Sequence, residues 1–197
     1  MRVISGSAKG RKLKAPPGLN TRPITDMIKG ALFNVWGSEV IDAKLLDLFA
    51  GSGSVGIEAL SRGAEKVVFV DKSNQAIKVI KENLSNCGFE KAGQLYQGDI
   101  FQALGALARQ GERFNLIYID PPFNNTEIFC DVMEVLDKID IFAPDHILVI
   151  RTPRKMEMPS FTRLIKYRQK SYGESSLHYY CRQEEDPKDD GNFSYTG

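Results

Sequence analysis

The sequence predicts an α/β protein, with helices covering both faces of a central, mostly parallel sheet. Three observations predict it. Apolar strand-like runs alternate with amphipathic helical segments from Leu45 to Arg151. A glycine-rich turn, Gly51-Ser52-Gly53-Ser54-Val55-Gly56, follows the first of these strands and opens a helix. The last two strand-like runs, 161–168 and 175–181, are joined by a turn around Tyr172-Gly173 that permits only antiparallel pairing.

Taken in order, residues 1–14 read as a small β-hairpin, Arg2–Ser5 against Arg11–Lys14 across a Gly/Ser/Lys turn. Residues 15–24 carry three prolines and a glycine and form a connecting loop. Thr25 or Asp26 caps a helix with Ile28, Leu32, Val35 and Trp36 on one side. Parallel strands follow at Leu45–Phe49, Lys66–Val70, Leu95–Tyr96, Phe114–Ile119 and Ile147–Arg151. Helices lie between them: Val55–Arg62, a segment capped by Ser73 that ends near Gly88, Ile100–Ala108 and Glu127–Leu136. The expected architecture is three layers around seven strands, five parallel plus a terminal antiparallel hairpin, with the small amino-terminal hairpin as an extension. The expected division is a basic hairpin and loop over 1–24, a core domain over 25–182 and an acidic, polar tail over 183–197.

Composition narrows the class. The chain has 197 residues, 42% of them hydrophobic, enough for one sizeable domain. No apolar run approaches the roughly 18 residues of a membrane span, and the start lacks a signal-peptide core. A cytoplasmic protein, with no membrane partner, is expected. Cys87, Cys130 and Cys181 are scattered and form no CxxC pair, and His146 and His178 are isolated. Neither a disulfide framework nor a metal site is expected. No sign of an oligomer interface stands out, so a monomer is expected. Net charge is +1, but Arg2, Lys9, Arg11, Lys12, Lys14 and Arg22 give the first 25 residues +6 with no acid. Arg151 to Lys170 holds seven further cations and one Glu. Basic blocks of this kind suit a nucleic acid.

The glycine turn lets backbone approach a ligand closely at a helix N-terminus. Asp71 ends the second strand twenty residues after Gly51, where a carboxylate can accept from both ribose hydroxyls. Any adenosine cofactor, NAD included, could use that pair. Asp47, inside the first strand, would repel a pyrophosphate but attract a sulfonium or an amine. Asp99 ends the third strand, where it could accept from an adenine amino group. These acids suit S-adenosylmethionine. Asp47 as a surface residue, and Asp71 and Asp99 as helix caps, are the simpler structural alternatives.

Asp120-Pro121-Pro122-Phe123 follows the strand Phe114–Ile119. It makes a rigid, acceptor-rich loop with a flat stacking face, suited to holding a nucleobase amine against a methyl donor. An ordinary Asp-Pro-Pro turn is the alternative.

Together, Asp47-Leu48-Phe49-Ala50-Gly51-Ser52-Gly53, Asp71, Asp99 and Asp120-Pro121-Pro122-Phe123 resemble the Rossmann-like class I methyltransferases that modify amino nitrogens. The opening Met1-Arg2-Val3-Ile4-Ser5-Gly6, Gly10-Arg11-Lys12-Leu13, Arg22-Pro23, Thr25-Asp26 and Ala31-Leu32-Phe33-Asn34 resembles the bacterial 16S rRNA (guanine-N2)-methyltransferase family. So do Gly56–Ala64 and Tyr172-Gly173. The chain departs from the family pattern at Met27-Ile28-Lys29-Gly30, where basic, then basic-acidic residues are usual. The resemblance implies methyl transfer from S-adenosylmethionine to N2 of a guanine in 16S rRNA, free or within a small-subunit assembly intermediate. It implies that Gly51 and Gly53 pass beneath the methionine part, that Asp47 faces its amino group and that Asp71, with Lys72 beside it, holds the ribose. Asp99 and Ile100 would read the adenine. Asp120 and the Pro121 carbonyl would accept from the guanine amine, with Pro122 stiffening the loop and Phe123 stacking on the base. Arg11, Lys12, Arg22 and Thr25 would contact the RNA.

Three rival readings stay open. A DNA adenine-N6 or cytosine-N4 methyltransferase uses the same loop, although no segment large enough for a target-recognition domain is evident. An NAD-dependent dehydrogenase is allowed by Gly51 and Asp71, but Asp47 and the lack of a hydride-relay His argue against it. A non-catalytic RNA-binding protein would not need Asp120.

Overall fold

The computed structural model describes residues 1–17 and 24–183. The expectations for Arg22 and for the acidic tail beyond Gln183 lie outside the described residues. Eleven residues, Asp26–Trp36, form helix α1, and a short 3-10 turn continues to Val40. Then come β1 (Lys44–Leu48), α2 (Ser54–Ser61), β2 (Lys66–Asp71), α3 (Asn74–Cys87), β3 (Gly93–Gln97) and α4 (Ile100–Arg109). The chain continues through β4 (Phe114–Ile119), α5 (Glu127–Lys138), β5 (Phe142–Pro153), β6 (Leu164–Tyr172) and β7 (Ser175–Arg182).

The strands form one sheet in the order β3-β2-β1-β4-β5-β7-β6. The first five are parallel, and β7 pairs antiparallel with both β5 and β6. Strand order reverses between β1 and β4, so a crevice opens at their carboxyl ends, where ligands bind in open α/β sheets.

Alternate strand residues feed two cores. On one face Leu45, Val67, Phe69, Tyr118, Val149, Leu177 and Tyr179 pack against α1, α2 and α3. On the other, Leu46, Val68, Ile117, Leu148, Ile150 and Tyr180 pack against α4 and α5. Strands buried on both sides read as the continuous apolar runs of the sequence. The helix signals are where the sequence put them: Thr25 Oγ1 accepts from Ile28 N, Ser73 Oγ from Ala76 N, and Gly88 closes α3 with φ +78°.

The amino-terminal hairpin closes on an antiparallel bridge, Arg2 to Lys12, outside the main sheet. Val3 N donates to Arg11 O, Gly10 N to Val3 O and Leu13 N to Met1 O across it, and further hydrogen bonds tie it to helix α2. Glu58 accepts from Ile4 N (2.7 Å) and Ser5 N (2.9 Å), and Ser61 Oγ accepts from Ala8 N (2.9 Å). Val3, Ala8 and Leu13 are buried in the same core as α1. Lys29, on α1, is wholly buried: its Nζ lies 3.2 Å from Glu58 Oε2 and donates to Arg2 O (2.7 Å) and Ser54 Oγ (3.0 Å). Burial lowers the Lys29 pKa, and Glu58 opposes the shift. The cation at the departure from the family pattern thus ties the first residues to α2.

Several segments differ in extent from the sequence reading, among them β3, which spans Gly93–Gln97 rather than 95–96. The strand β5 begins at Phe142 rather than Ile147, and β6 spans Leu164–Tyr172 rather than 161–168. Asp137, at the end of α5, explains the later start of β6: its carboxylate accepts from the amides of Thr162, Arg163 and Leu164. That caps the incoming segment before it can join the sheet. Among the described residues, no helix is long and apolar enough to cross a membrane.

Candidate active site

Four acids come to the carboxyl ends of four adjacent parallel strands: Asp99 after β3, Asp71 ending β2, Asp47 in β1 and Asp120 after β4. Backbone bonds lash these tips together. Asp120 N donates to Leu48 O, Ala50 N to Val70 O and Gly98 N to Asp71 O.

The turn after β1 carries the strain. Phe49 has φ +60°, a left-handed conformation that costs a residue with a Cβ roughly 1 kcal/mol or more. The three glycines then divide the work. A Cβ on Gly51 would meet only Phe49 O, at 3.9 Å, so that position opens on the crevice. Gly53 does not. Its Cβ would point at Ile80 (3.2 Å) and Phe69 (3.3 Å), and its φ of +73° sets the entry to α2. Gly56 lets α2 lie directly on β2, since a Cβ there would be 2.3 Å from the Phe69 ring.

Asp71 braces the turn. Its Oδ2 accepts from Gly51 N (2.9 Å) and its Oδ1 from Ser73 N (2.8 Å). Each carboxylate oxygen keeps a lone pair for a further donor. Lys72, next along, is exposed. Asp47 is not the surface residue of the simpler alternative: it is 2% exposed and accepts from Gly56 N at 3.1 Å. Burial drives its carboxyl well above the usual range. The Gly56 amide opposes this, while the charges of Asp120 and Asp71 add to it. Asp47 therefore senses both neighbouring acids, and a cation beside it would relieve that repulsion. Asp99 is the N-cap of α4, its Oδ1 accepting from Phe101 N (2.9 Å) and Gln102 N (3.2 Å). Ile100 is buried at the first position of that helix.

Asp120 is held by two side chains that sequence reasoning missed. Arg151, in β5, donates from Nε to Oδ1 at 2.8 Å, and the Tyr118 hydroxyl donates to Oδ2 at 3.3 Å. Burial pushes the Asp120 carboxyl up, and Arg151 and Tyr118 pull against that shift. The Arg151 guanidinium also lies 5.0 Å from the centroid of the Phe123 ring. Pro121 is buried, and Pro122 and Phe123 are half-buried, with Phe129 beside the Phe123 ring at 6.0 Å. No sequence motif marks Arg151. Only the strand order, β4 beside β5, brings it to the loop.

The RNA candidates are spread more widely. Thr25 caps α1. Lys12 is exposed beside Arg2. Arg11 donates to Asn86 O, near the far end of α3, about 18 Å along that helix from the crevice. No group of three or more His, Cys, Asp or Glu among the described residues could hold a metal.

Comparison with known proteins shows the family and the fold. A model of the family described as "Conserved hypothetical protein 95" matches residues 1–181. The chain is 40% identical over 184 residues to "Putative rRNA methyltransferase YlbH" of Bacillus subtilis, covering 93% of this chain and all of that protein. It is 28% identical to "Ribosomal RNA small subunit methyltransferase D" of Escherichia coli, over 96% of this chain and 93% of the relative. The solved structure of yhhF from Escherichia coli superposes with a TM-score of 0.80 at 28% identity, over 93% of this chain and 98% of that one. At the level of fold alone, an RNA methyltransferase of Salinibacter ruber solved with S-adenosyl-L-homocysteine matches with a TM-score of 0.64 at 16% identity, over 85% and 98% of the two chains. The chain is a member of the Conserved hypothetical protein 95 family, a family of rRNA methyltransferases.

Proposed function

We propose that this protein transfers a methyl group from S-adenosylmethionine to the exocyclic N2 of a guanine in 16S rRNA, in the cytoplasm. The observation that carries the reading is the position of Asp120. Its carboxylate stands at the tip of β4, directly across the strand-order reversal from the Asp47–Gly51–Asp71 pocket wall. The relatives named for rRNA, and for the small subunit in particular, supply the polymer.

The residues present fit an adenosyl sulfonium. Gly51 leaves room for it, Asp71 offers lone pairs to the ribose hydroxyls, and Asp47, Asp71 and Asp120 make the hollow attractive to positive charge. When bound, S-adenosylmethionine supplies a methyl group on a good leaving group. Everything else is the work of the chain. Guanine N2 is a poor nucleophile because its lone pair is delocalised into the ring. Asp120 and the Pro121 carbonyl accept from its two N–H bonds, favouring a tetrahedral nitrogen and stabilising the positive charge that grows there. As the new N–C bond forms, one N2 proton passes to Asp120, directly or through water. The base leaves its stack to reach the loop, at a cost of a few kcal/mol, and contact with Phe123 offsets part of it.

Radiolabelled methyl transfer to small-subunit rRNA from a strain lacking the enzyme, followed by nucleoside analysis, tests the reading. Labelled N2-methylguanosine is expected. Label in adenine or cytosine, or in DNA only, overturns it. Asp120→Ala is expected to keep S-adenosylmethionine binding and lose turnover.

A further inference from the structure

We infer that the exposed edge strand β6 is a docking rail for the RNA strand that flanks the target nucleotide, an inference that rests on the proposed RNA substrate. The pairing register carries it. Arg151, which touches Asp120, stands opposite Leu177, and Leu177 stands opposite Lys170. Directly paired residues project from the same face. Lys170 is therefore on the Arg151 face of the sheet, two strands away, at about 10 Å. The next rung inward runs Val149–Tyr179–Arg168, and the next outward Pro153–Ser175–Tyr172. Strand β6 also runs parallel to β5, since both are antiparallel to β7, so its carboxyl end lies at the crevice end.

A bulge makes this arrangement. Regular alternation would put Lys166, Arg168 and Lys170 on one face together, the ordinary pattern of a charged edge that discourages strand pairing. The register shifts between Lys166 and Arg168. Lys166 stays opposite Tyr180, on the α4–α5 face, while Arg168 and Lys170 are turned to the crevice face. A one-residue slip is what moves side chains across a sheet. At the bulge, Tyr167 lies 6.3 Å from the Tyr179 ring, which the Arg168 guanidinium also approaches at 5.8 Å, and Tyr167 is 50% exposed. An exposed ring between cations is the composition of a single-strand site, with phosphates on Arg168 and Lys170 and a base on Tyr167. From Leu164 to Tyr172 the strand has three cations and no acid.

The test uses the full chain and a 16S rRNA transcript, with affinity measured across a salt series. The double variant Arg168→Gln/Lys170→Gln is expected to bind at least about tenfold more weakly at low salt. Its slope of log affinity against log salt is expected to flatten by about 1.4, two single-strand phosphate contacts. Lys166→Gln removes the same kind of charge from the same strand on the other face, and is expected to bind within about twofold of the native protein. Tyr167→Ala is expected to lose affinity with little change in slope. Unchanged S-adenosylmethionine affinity in each variant shows that the fold is kept. Native-like RNA binding by the double variant, an equal loss in Lys166→Gln, or no RNA binding by the native protein at low salt each overturns the rail. Methylation of a base other than guanine would overturn the proposed chemistry and leave this comparison standing.

Discussion

Arg151 Nε lies 2.8 Å from Asp120 Oδ1, so the loop after β4 is clamped by a cation from β5. Both side chains are largely buried, at 7% and 17% exposure, so removing one partner would leave the other charge buried and uncompensated.

The clamp predicts a pH effect. In the proposed reaction Asp120 can take the N2 proton only when ionised, so activity is expected to fall as pH drops through its folded pKa. Burial raises that pKa, and Arg151 is the main group opposing the rise. Tyr118 donates to the carboxylate from β4, and on neighbouring β1 the charge of Asp120 helps push the Asp47 carboxyl up. Arg151→Met is expected to move the acid limb of kcat/KM upward by about 1–3 pH units, and Arg151→Lys to recover part of the shift. A pH–rate profile reads it. An unmoved limb would mean that Arg151 only shapes the loop.

Asp71 holds Gly51 N and, in the proposed complex, the ribose. Losing a charged hydrogen bond costs about 1.5–3 kcal/mol. Asp71→Asn is therefore expected to weaken S-adenosylhomocysteine about ten- to a hundredfold in calorimetry. An affinity equal to that of the native protein would show that the carboxylate braces the turn and nothing more.

Glu58 is the hub of the amino-terminal packing. Glu58→Ala strands a buried Lys29 and orphans the Ile4 and Ser5 amides. Truncating one partner of a buried pair costs about 3–5 kcal/mol. Urea denaturation is expected to show a loss of that size, and a change under about 1 kcal/mol would refute the hub.

His178 predicts acid sensitivity of the fold. It is fully buried, and Nε2 lies 2.9 Å from Thr152 Oγ1, whose own proton goes to Pro153 O. Nε2 is then the donor. Nδ1 has no partner among the described residues, and protonating it would create a buried, unmatched N–H. Burial lowers the His178 pKa to about 4. A depressed folded pKa means stability that is complete above the unfolded value of about 6.5 and lost as pH falls toward 4, roughly 3 kcal/mol in all. In thermal denaturation across that window, His178→Gln is expected to flatten the slope. Parallel curves for the two proteins would assign the acid loss to other groups.

Much of this molecule is legible in the sequence because its signals are local. Caps at Thr25 and Ser73, the Gly88 stop and the apolar runs of β1, β2 and β4 need no tertiary information. The strand β6 is harder to read because an exposed edge carries no alternation between Ile165 and Ser171 to mark its end. The site divides the same way. Asp47, Asp71 and Asp120 are found by their place at strand ends. Arg151 is 31 residues from Asp120, and Lys29 and Ser61 act on segments distant in the chain, so only strand order and packing reveal them. Asp99 shows the converse, a residue whose cap geometry is the stronger visible role.

Phe49 links the two sides of the sheet. Its backbone adopts the left-handed turn that launches the glycine loop, while its ring packs with the α4–α5 core and its neighbour Ala50 with the opposite one. Repacking beneath the sheet, at residues remote from any ligand, would therefore be transmitted to the pocket floor. Ligand affinity would then depend partly on side chains that never see the ligand.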